Sequence, residues 1–232
     1  MLKGDLRKKQ ILETAERLFC ENGYEKTSVQ DILDVLRLSK GSFYHHYESK
    51  ELLLSCICEK RAQASAEELR NRKDRQTGID GINEVLSAMI PFNGAGLTFL
   101  KMILPVFLLP EGRTVRESYQ NALKQAYEPL LLDAFDSALA NREIFCEDAA
   151  FTAGVCLELV NDLWCAVSGQ MLQEPGESRP GENLTLLEQY RTVLERILIA
   201  PYGSLNLMGL EDLERLRSEI WPQPAPKHET KR

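Results

Sequence analysis

The sequence has no long hydrophobic run. The longest, Ile103–Leu109, spans seven residues and includes Pro105, whereas a membrane-crossing helix needs about 20. No transmembrane segment is expected. The opening residues MLKGDLRKKQ lack an apolar stretch behind their charges and do not read as a secretory signal. Cysteine is sparse, with 6 in 232 residues at irregular spacing. That argues against a disulfide framework and for a reducing compartment. An excess of positive charge is also missing: 28 Lys and Arg stand against 35 Asp and Glu, a net charge of -7. This excludes a surface that coats nucleic acid or an anionic membrane all over, but leaves room for a local basic face. Sustained alternation of β-forming residues is absent, which excludes a sheet-based fold. So are HExxH, GxSxG and a phosphate-binding glycine loop, and no enzymatic activity is expected. Together these absences predict a cytoplasmic helical protein without cofactor, metal or membrane partner.

The charge that is present is unevenly placed. Residues 1–60 carry 10 basic and 10 acidic residues, so the whole acidic excess lies in residues 61–232. Two clusters are locally basic: Lys3, Arg7, Lys8 and Lys9, and then Arg37, Lys40 and Lys50 with His45 and His46. A solvated surface explains such clusters as readily as a partner does. Neighbouring histidines on a helix point about 100° apart, and no third ligand lies close by, so metal binding is not expected.

Helical periodicity runs nearly throughout. Ile11, Leu12, Ala15, Leu18 and Phe19 form one stripe over residues 6–22, and Asn22-Gly23 supplies a stop. Thr27 and Gln30 fit a capping box that opens a short helix carrying Val29, Ile32, Leu33 and Leu36. Arg37-Leu38-Ser39 breaks it, and Ser39 can cap a second short helix over Lys40–His46. A long helix is predicted from Lys50 to about Arg72. Further helices are expected over 79–90, over 97–109 with Pro105 and Pro110 as limits, and over 114–141 with a kink at Pro129. Two more should cover 147–172 and 184–199, before a last short one around Leu210–Ile220. Residues 174–183 read as a loop, and the Pro-rich, charged residues 222–232 as a disordered tail.

Two short helices joined by a three-residue turn form a helix-turn-helix pattern. Its second helix would offer Lys40, Ser42, Tyr44 and His45 outward, with Phe43 and Tyr47 turned to the core. Gly41 has no side chain, so a phosphate can approach its backbone. The stretches ILETAERLFCENGYEKTSV, VQDILDVLRL and SKGSFYHHYESKELLL resemble, without a gap over residues 10–54, the DNA-binding domain of the tetracycline-repressor (TetR) family.

The resemblance implies an all-α protein. Residues 1–49 would form the three-helix DNA-binding domain, and 50–221 a larger helical domain for ligand binding and dimerisation. The partners would be a pseudo-palindromic duplex, a small-molecule effector and a second copy, joined through helices 147–172 and 184–199. Carried over position by position, Ser28, Gln30, Ser39, Lys40, Ser42, Tyr44, His45 and Lys50 are the candidate DNA contacts, Lys50 among them for phosphate, and Arg37 by its charge and Gly41 by its open backbone join them as candidates. Two positions depart from the family pattern. Leu33 stands where Ala is usual, and Arg37 where Gly is usual, which should cost a little stability if that turn is left-handed.

For a ligand pocket the candidates are Phe99, Met102, Phe107, Tyr119 and Tyr127, with Glu158 and Asp162 as polar members. Plain core packing explains the aromatic residues equally well. Glu158, Asn161, Asp162 and Cys165 form one polar stripe that fits solvent better than a cavity. The implied function is a homodimeric repressor that a small molecule releases from DNA. The alternative is a helical scaffold without specific DNA binding.

Overall fold

A computed structural model describes residues 3–91, 94–171, 182–208 and 218. Among the described residues the chain is all-helical, without strands. In chain order the helices are α1 (Lys3–Asn22), α2 (Val29–Leu36), α3 (Lys40–Tyr44), α4 (Lys50–Arg70), α5 (Gly78–Met89), α6 (Gly94–Phe107), α7 (Arg113–Ala140), α8 (Ala149–Met171) and α9 (Glu182–Ile197). A single 3₁₀ turn at Pro110–Gly112 links α6 to α7. The loop over 172–181, the helix around Leu210–Ile220 and the tail from Pro222 lie outside the described residues, apart from Ser218.

Each boundary has a local cause. α1 ends where Gly23 takes φ 90 and its amide donates to the Phe19 carbonyl at 2.9 Å. The capping box at α2 sits one residue later than expected. Ser28, not Thr27, is the N-cap, and Asp31, not Gln30, is its partner. The Thr27 hydroxyl is already committed, donating to the Gly23 and Leu18 carbonyls at 2.9 and 3.3 Å. It is therefore buried under α1 and cannot cap. α3 stops at Tyr44, two residues short of the expected end. Pro129 stands inside α7, and the helix runs on through it for 28 residues. Position 129 is on the exposed side, away from the packed face of the helix.

α7 is the central strut. It packs against α4 and α5 on one side and α8 on the other, and α9 covers α8. Tyr119, Leu123, Tyr127, Leu130, Leu131 and Phe135 of α7 are buried, as are Trp164 and Leu157 of α8. Each such side chain contributes roughly 1.5–3 kcal/mol of burial. α8 is long and apolar enough, by length and composition, to cross a membrane over Ala149–Gln170, although no long unbroken apolar run exists. Mean hydropathy tolerates the interspersed Glu158, Asn161 and Asp162 where a run does not. Half of that segment is buried against the rest of the protein, which is the packing of a core helix.

Among the described residues, three helices end in a left-handed residue that is not glycine: Arg37 after α2 (φ 54), Arg142 after α7 (φ 59) and Ile199 after α9 (φ 49). In each, the next residue donates back across the turn: Leu38 to Leu33 at 2.9 Å, Glu143 to Ala138 at 2.9 Å, and Ala200 to Glu195 at 2.8 Å. This is the Schellman closure, for which glycine is favoured. Ile199 is β-branched and mostly exposed, so it carries the steric cost with little burial in return. Ile199→Gly is expected to raise unfolding stability by about 1 kcal/mol. Urea denaturation followed by Trp fluorescence checks this, and a loss of stability would mean that the sec-butyl group packs against something essential.

Candidate nucleic-acid interface

The first 50 residues fold around Ile11, Ala15, Phe19, Ile32, Leu33, Phe43 and Tyr47, all buried. α2 and α3 form the helix-turn-helix, with the left-handed Arg37 as its turn. Leu33, the residue standing where the family has Ala, is fully enclosed. Its carbonyl accepts the turn's closing hydrogen bond from Leu38. Tyr47 is a core residue whose hydroxyl donates to the Lys8 carbonyl at 3.2 Å, tying the end of α3 to the first turns of α1. Tyr44 is 55% exposed and rests edge-on against Phe43 with ring centroids 5.3 Å apart.

The structure brings most of the predicted contact residues to one surface. Ser39, Lys40, Gly41, Tyr44 and His45 are exposed, and Ser42 is partly so. Ser39 caps α3 by accepting from the Ser42 amide at 3.4 Å. A side chain at Gly41 would meet only the Ser39 hydroxyl, at 4.0 Å. Its missing Cβ therefore leaves space towards solvent rather than towards packing. On α2, the Gln30 amide donates to Asp34 at 2.7 Å. The amide and hydroxyl of Ser28 both donate to Asp31 at 2.7 Å and hold that carboxyl below the usual carboxylate range. Ser28 is thus partly spent on capping.

Lys50 is the exception. Its ammonium turns inward, donating to the Tyr24 and Thr27 carbonyls at 3.1 and 3.3 Å and lying 4.0 Å from the centre of the Tyr24 ring. The expected phosphate contact gives way to an internal fastening. The loop after α1 presents two carbonyls with no helical partner of their own, and the first residue of α4 satisfies them.

The sequence reading left Arg7 and Lys8 out of the site. The fold sets them beside the end of α3. The His46 imidazole is held below its ordinary value first by burial, then by the positive charges of His45, Lys8 and Arg7. The basic run was legible in the sequence, but its proximity to the histidines depends on the crossing of α1 and α3. His46 is consequently neutral near pH 7, and an approaching phosphate would draw its charge back.

The pocket candidates do not form one site. Phe99 and Tyr119 line a cavity of about 450 Å³ between α4, α5, α6 and α7. Met102 and Phe107 are plain core, and the Tyr127 hydroxyl is committed to the Ala88 carbonyl at 2.9 Å and to Ser65 at 2.6 Å. Glu158 and Asp162 lie on the outer face of α8, where Glu158 pairs with Lys124 at 2.7 Å and Asp162 accepts from Tyr190. Water hydrates those carboxylates more cheaply than the interior would. Asn161, from the same stripe, points in and bonds the Gln120 carbonyl and the Trp164 ring nitrogen, both at 3.1 Å.

Comparison with known proteins agrees with this geometry. Residues 11–56 match the family model described as bacterial regulatory proteins, tetR family. An uncharacterized HTH-type transcriptional regulator, YerO, of Bacillus subtilis is 29% identical over 136 residues, 52% of this chain and 47% of that protein. The chain spans about half, or less, of the length of the curated relatives it matches. A TetR-family regulator from Pectobacterium atrosepticum superposes with a TM-score of 0.60 at 17% identity, covering 87% of this chain and all of that one. The structure of RolR in complex with resorcinol superposes at 0.54 with 13% identity, covering 97% of each chain. At these identities the likeness to solved structures concerns the fold alone.

Lys50→Met keeps the aliphatic stem but leaves the Thr27 carbonyl unpaired, while the Tyr24 carbonyl retains only the Thr27 amide at 3.2 Å. It should lower unfolding stability by about 1.5 kcal/mol, measured by urea denaturation; no change would mean that water replaces the ammonium at no cost. With the fold, the helix-turn-helix geometry and these matches in agreement, residues 11–56 are similar to the DNA-binding domain of the tetR family of bacterial regulatory proteins, and the whole chain shares the fold of solved regulators of that family.

Proposed function

We propose that this chain is a sequence-specific DNA-binding transcriptional regulator, a homodimeric repressor that a small molecule releases from a pseudo-palindromic operator. The observation that carries this reading is the exposed polar face of α3. Lys40, Ser42, Tyr44 and His45 stand clear of the core that Phe43 and Tyr47 build. A scaffold has no use for such a face, whereas a recognition helix needs side chains that reach base edges. Lys40, Arg37, Arg7 and Lys8 supply charge for phosphate oxygens around it. Residues 1–49 act as the reading unit, and 50–221 as the ligand and dimer unit. The reading implies action on DNA in the cytoplasm and no catalysis.

The dimer is assigned to α8 and α9. Phe151 is 72% exposed on α8 and Val193 44% exposed on α9. Val155 and Leu159 continue the α8 face as partly open apolar residues. Two such helix pairs related by a two-fold would bury this surface as a four-helix interface. It would also place two copies of α3 on successive half-sites. RolR, which shares the fold, is solved in complex with resorcinol, and this supports a small organic molecule as the effector.

Selection of bound duplexes from a random pool tests the reading: an enriched inverted repeat is expected, and weak binding without enrichment would overturn it. On the selected duplex, Lys40→Ala should reduce the slope of log affinity against log salt by about 1. Lys50→Met should leave that slope unchanged, because its charge is already turned inward. Equal slopes for all three proteins would remove Lys40 from the interface.

A further inference from the structure

α4 forms one wall of the cavity with Arg61, Ala64, Ser65, Glu68 and Leu69, and Arg72 follows just past its end. Opposite stand Met89 of α5, Phe99 of α6, and Tyr119 and Leu123 of α7. The size, about 450 Å³, is that of a pocket for a compact organic molecule.

Arg61 has two allegiances. Its guanidinium carbon lies 5.5 Å from the centre of the Phe99 ring at the cavity wall, and its Nε donates to Glu16 of α1. Glu16 is little exposed and has one other cation near it, Lys60 at 3.8 Å. The ion pair therefore joins the cavity wall to the helix that carries Arg7 and Lys8. Tyr119 is 4% exposed, and among the described residues no hydrogen bond holds its hydroxyl. Burial pushes its phenol well above the ordinary tyrosine range, so it remains a donor at any working pH. The site thus offers an aromatic wall, a guanidinium with unused N–H groups and a free hydroxyl donor. Two guanidiniums, Arg61 and Arg72, stand against one carboxylate, Glu68, in the lining, so the combination suits a flat anion better than a cation.

Resting on the ligand-responsive reading above, we propose that this cavity binds an aromatic carboxylate, which competes with Glu16 for Arg61 and so loosens α1 from α4. The ring lies against Phe99 and Tyr119, and the carboxylate accepts from Arg61 and from the Tyr119 hydroxyl. A second carboxylate at the same guanidinium takes N–H donors from Glu16 and repels it. Because α4 also fastens the reading unit through Lys50, releasing its hold at Arg61 frees that unit to tilt. Ligand and operator then weaken one another by the same factor.

The test uses the full-length chain without DNA. Naphthalene-2-carboxylate, naphthalene-2-carboxamide and (2-naphthylmethyl)trimethylammonium are titrated by calorimetry, with folding of each variant checked by circular dichroism. The carboxylate should bind about tenfold or more tighter than the neutral amide, and the cation should bind most weakly. Arg61→Met should remove that preference. Glu16→Gln should tighten carboxylate binding about threefold or more, since the competitor is gone; a merely structural role for Glu16 would weaken it instead. Equal binding of acid and amide, preference for the cation, no binding of any of the three, or unchanged or weaker carboxylate binding in Glu16→Gln would each overturn the proposal. The outcome is independent of the duplex selection. An enriched operator without carboxylate binding leaves the regulator standing, and carboxylate binding without an operator leaves the cavity standing.

Discussion

Everything at the reading end of this protein depends on how α4 is fastened. The helix begins at Lys50, and its first side chain closes the loop between α1 and α2 through two backbone carbonyls. Three turns on, Arg61 holds Glu16 of α1. Between them lie Leu53, Leu54 and Ile57, buried in the same core as Phe19 and Phe43. The reading unit is thus held to the bundle chiefly by α4, through Lys50 at one place, Lys60 and Arg61 at another, and an apolar seam between them. Neither charged contact is deeply buried, so each is of moderate strength and can be exchanged. Such a joint can be firm with an empty cavity and loose with a filled one.

The far side of α4 belongs to the bundle. Among the described residues its contact with α7 is the most extensive between helices, and α5 packs beside it, while α8 backs α7. A bound molecule between α4 and α7 therefore presses on the element that fixes the angle of α1–α3. The fold supplies this coupling without any long chain of intermediates. Two helices meet the cavity on one side and the reading unit on the other: α4 directly, and α6 through its packing against α1.

Much of this was legible in the sequence, for identifiable reasons. Helix periodicity placed α1, α2, α4, α5, α7, α8 and α9 to within a few residues, because each has an apolar stripe and a stop signal of its own. The motif SKGSFYHHYESKEL fixed the helix-turn-helix, since its hydroxyl caps and buried Phe43 and Tyr47 leave few other arrangements. What failed was whatever depended on a partner far away in sequence. Thr27 looked like a cap until the Leu18 and Gly23 carbonyls took its hydroxyl. Lys50 looked like a phosphate contact until the Tyr24 and Thr27 carbonyls took its ammonium. Glu158 and Asp162 looked like one stripe with Asn161, but α8 is buried on so much of its circumference that adjacent polar positions part, one inward and two outward. Arg61 gave no local signal at all, because its meaning lies in Glu16, 45 residues away.

The most direct measurement is a contact measurement on the face of α3. A photo-crosslinking benzoylphenylalanine in place of Tyr44, and separately in place of the exposed Tyr202 at the far end of the chain, is irradiated with the selected duplex. Crosslinked DNA from position 44 and none from position 202 is the predicted result. Crosslinks from position 202 with none from position 44 would contradict the account, because DNA would then lie on a surface that α4 does not control.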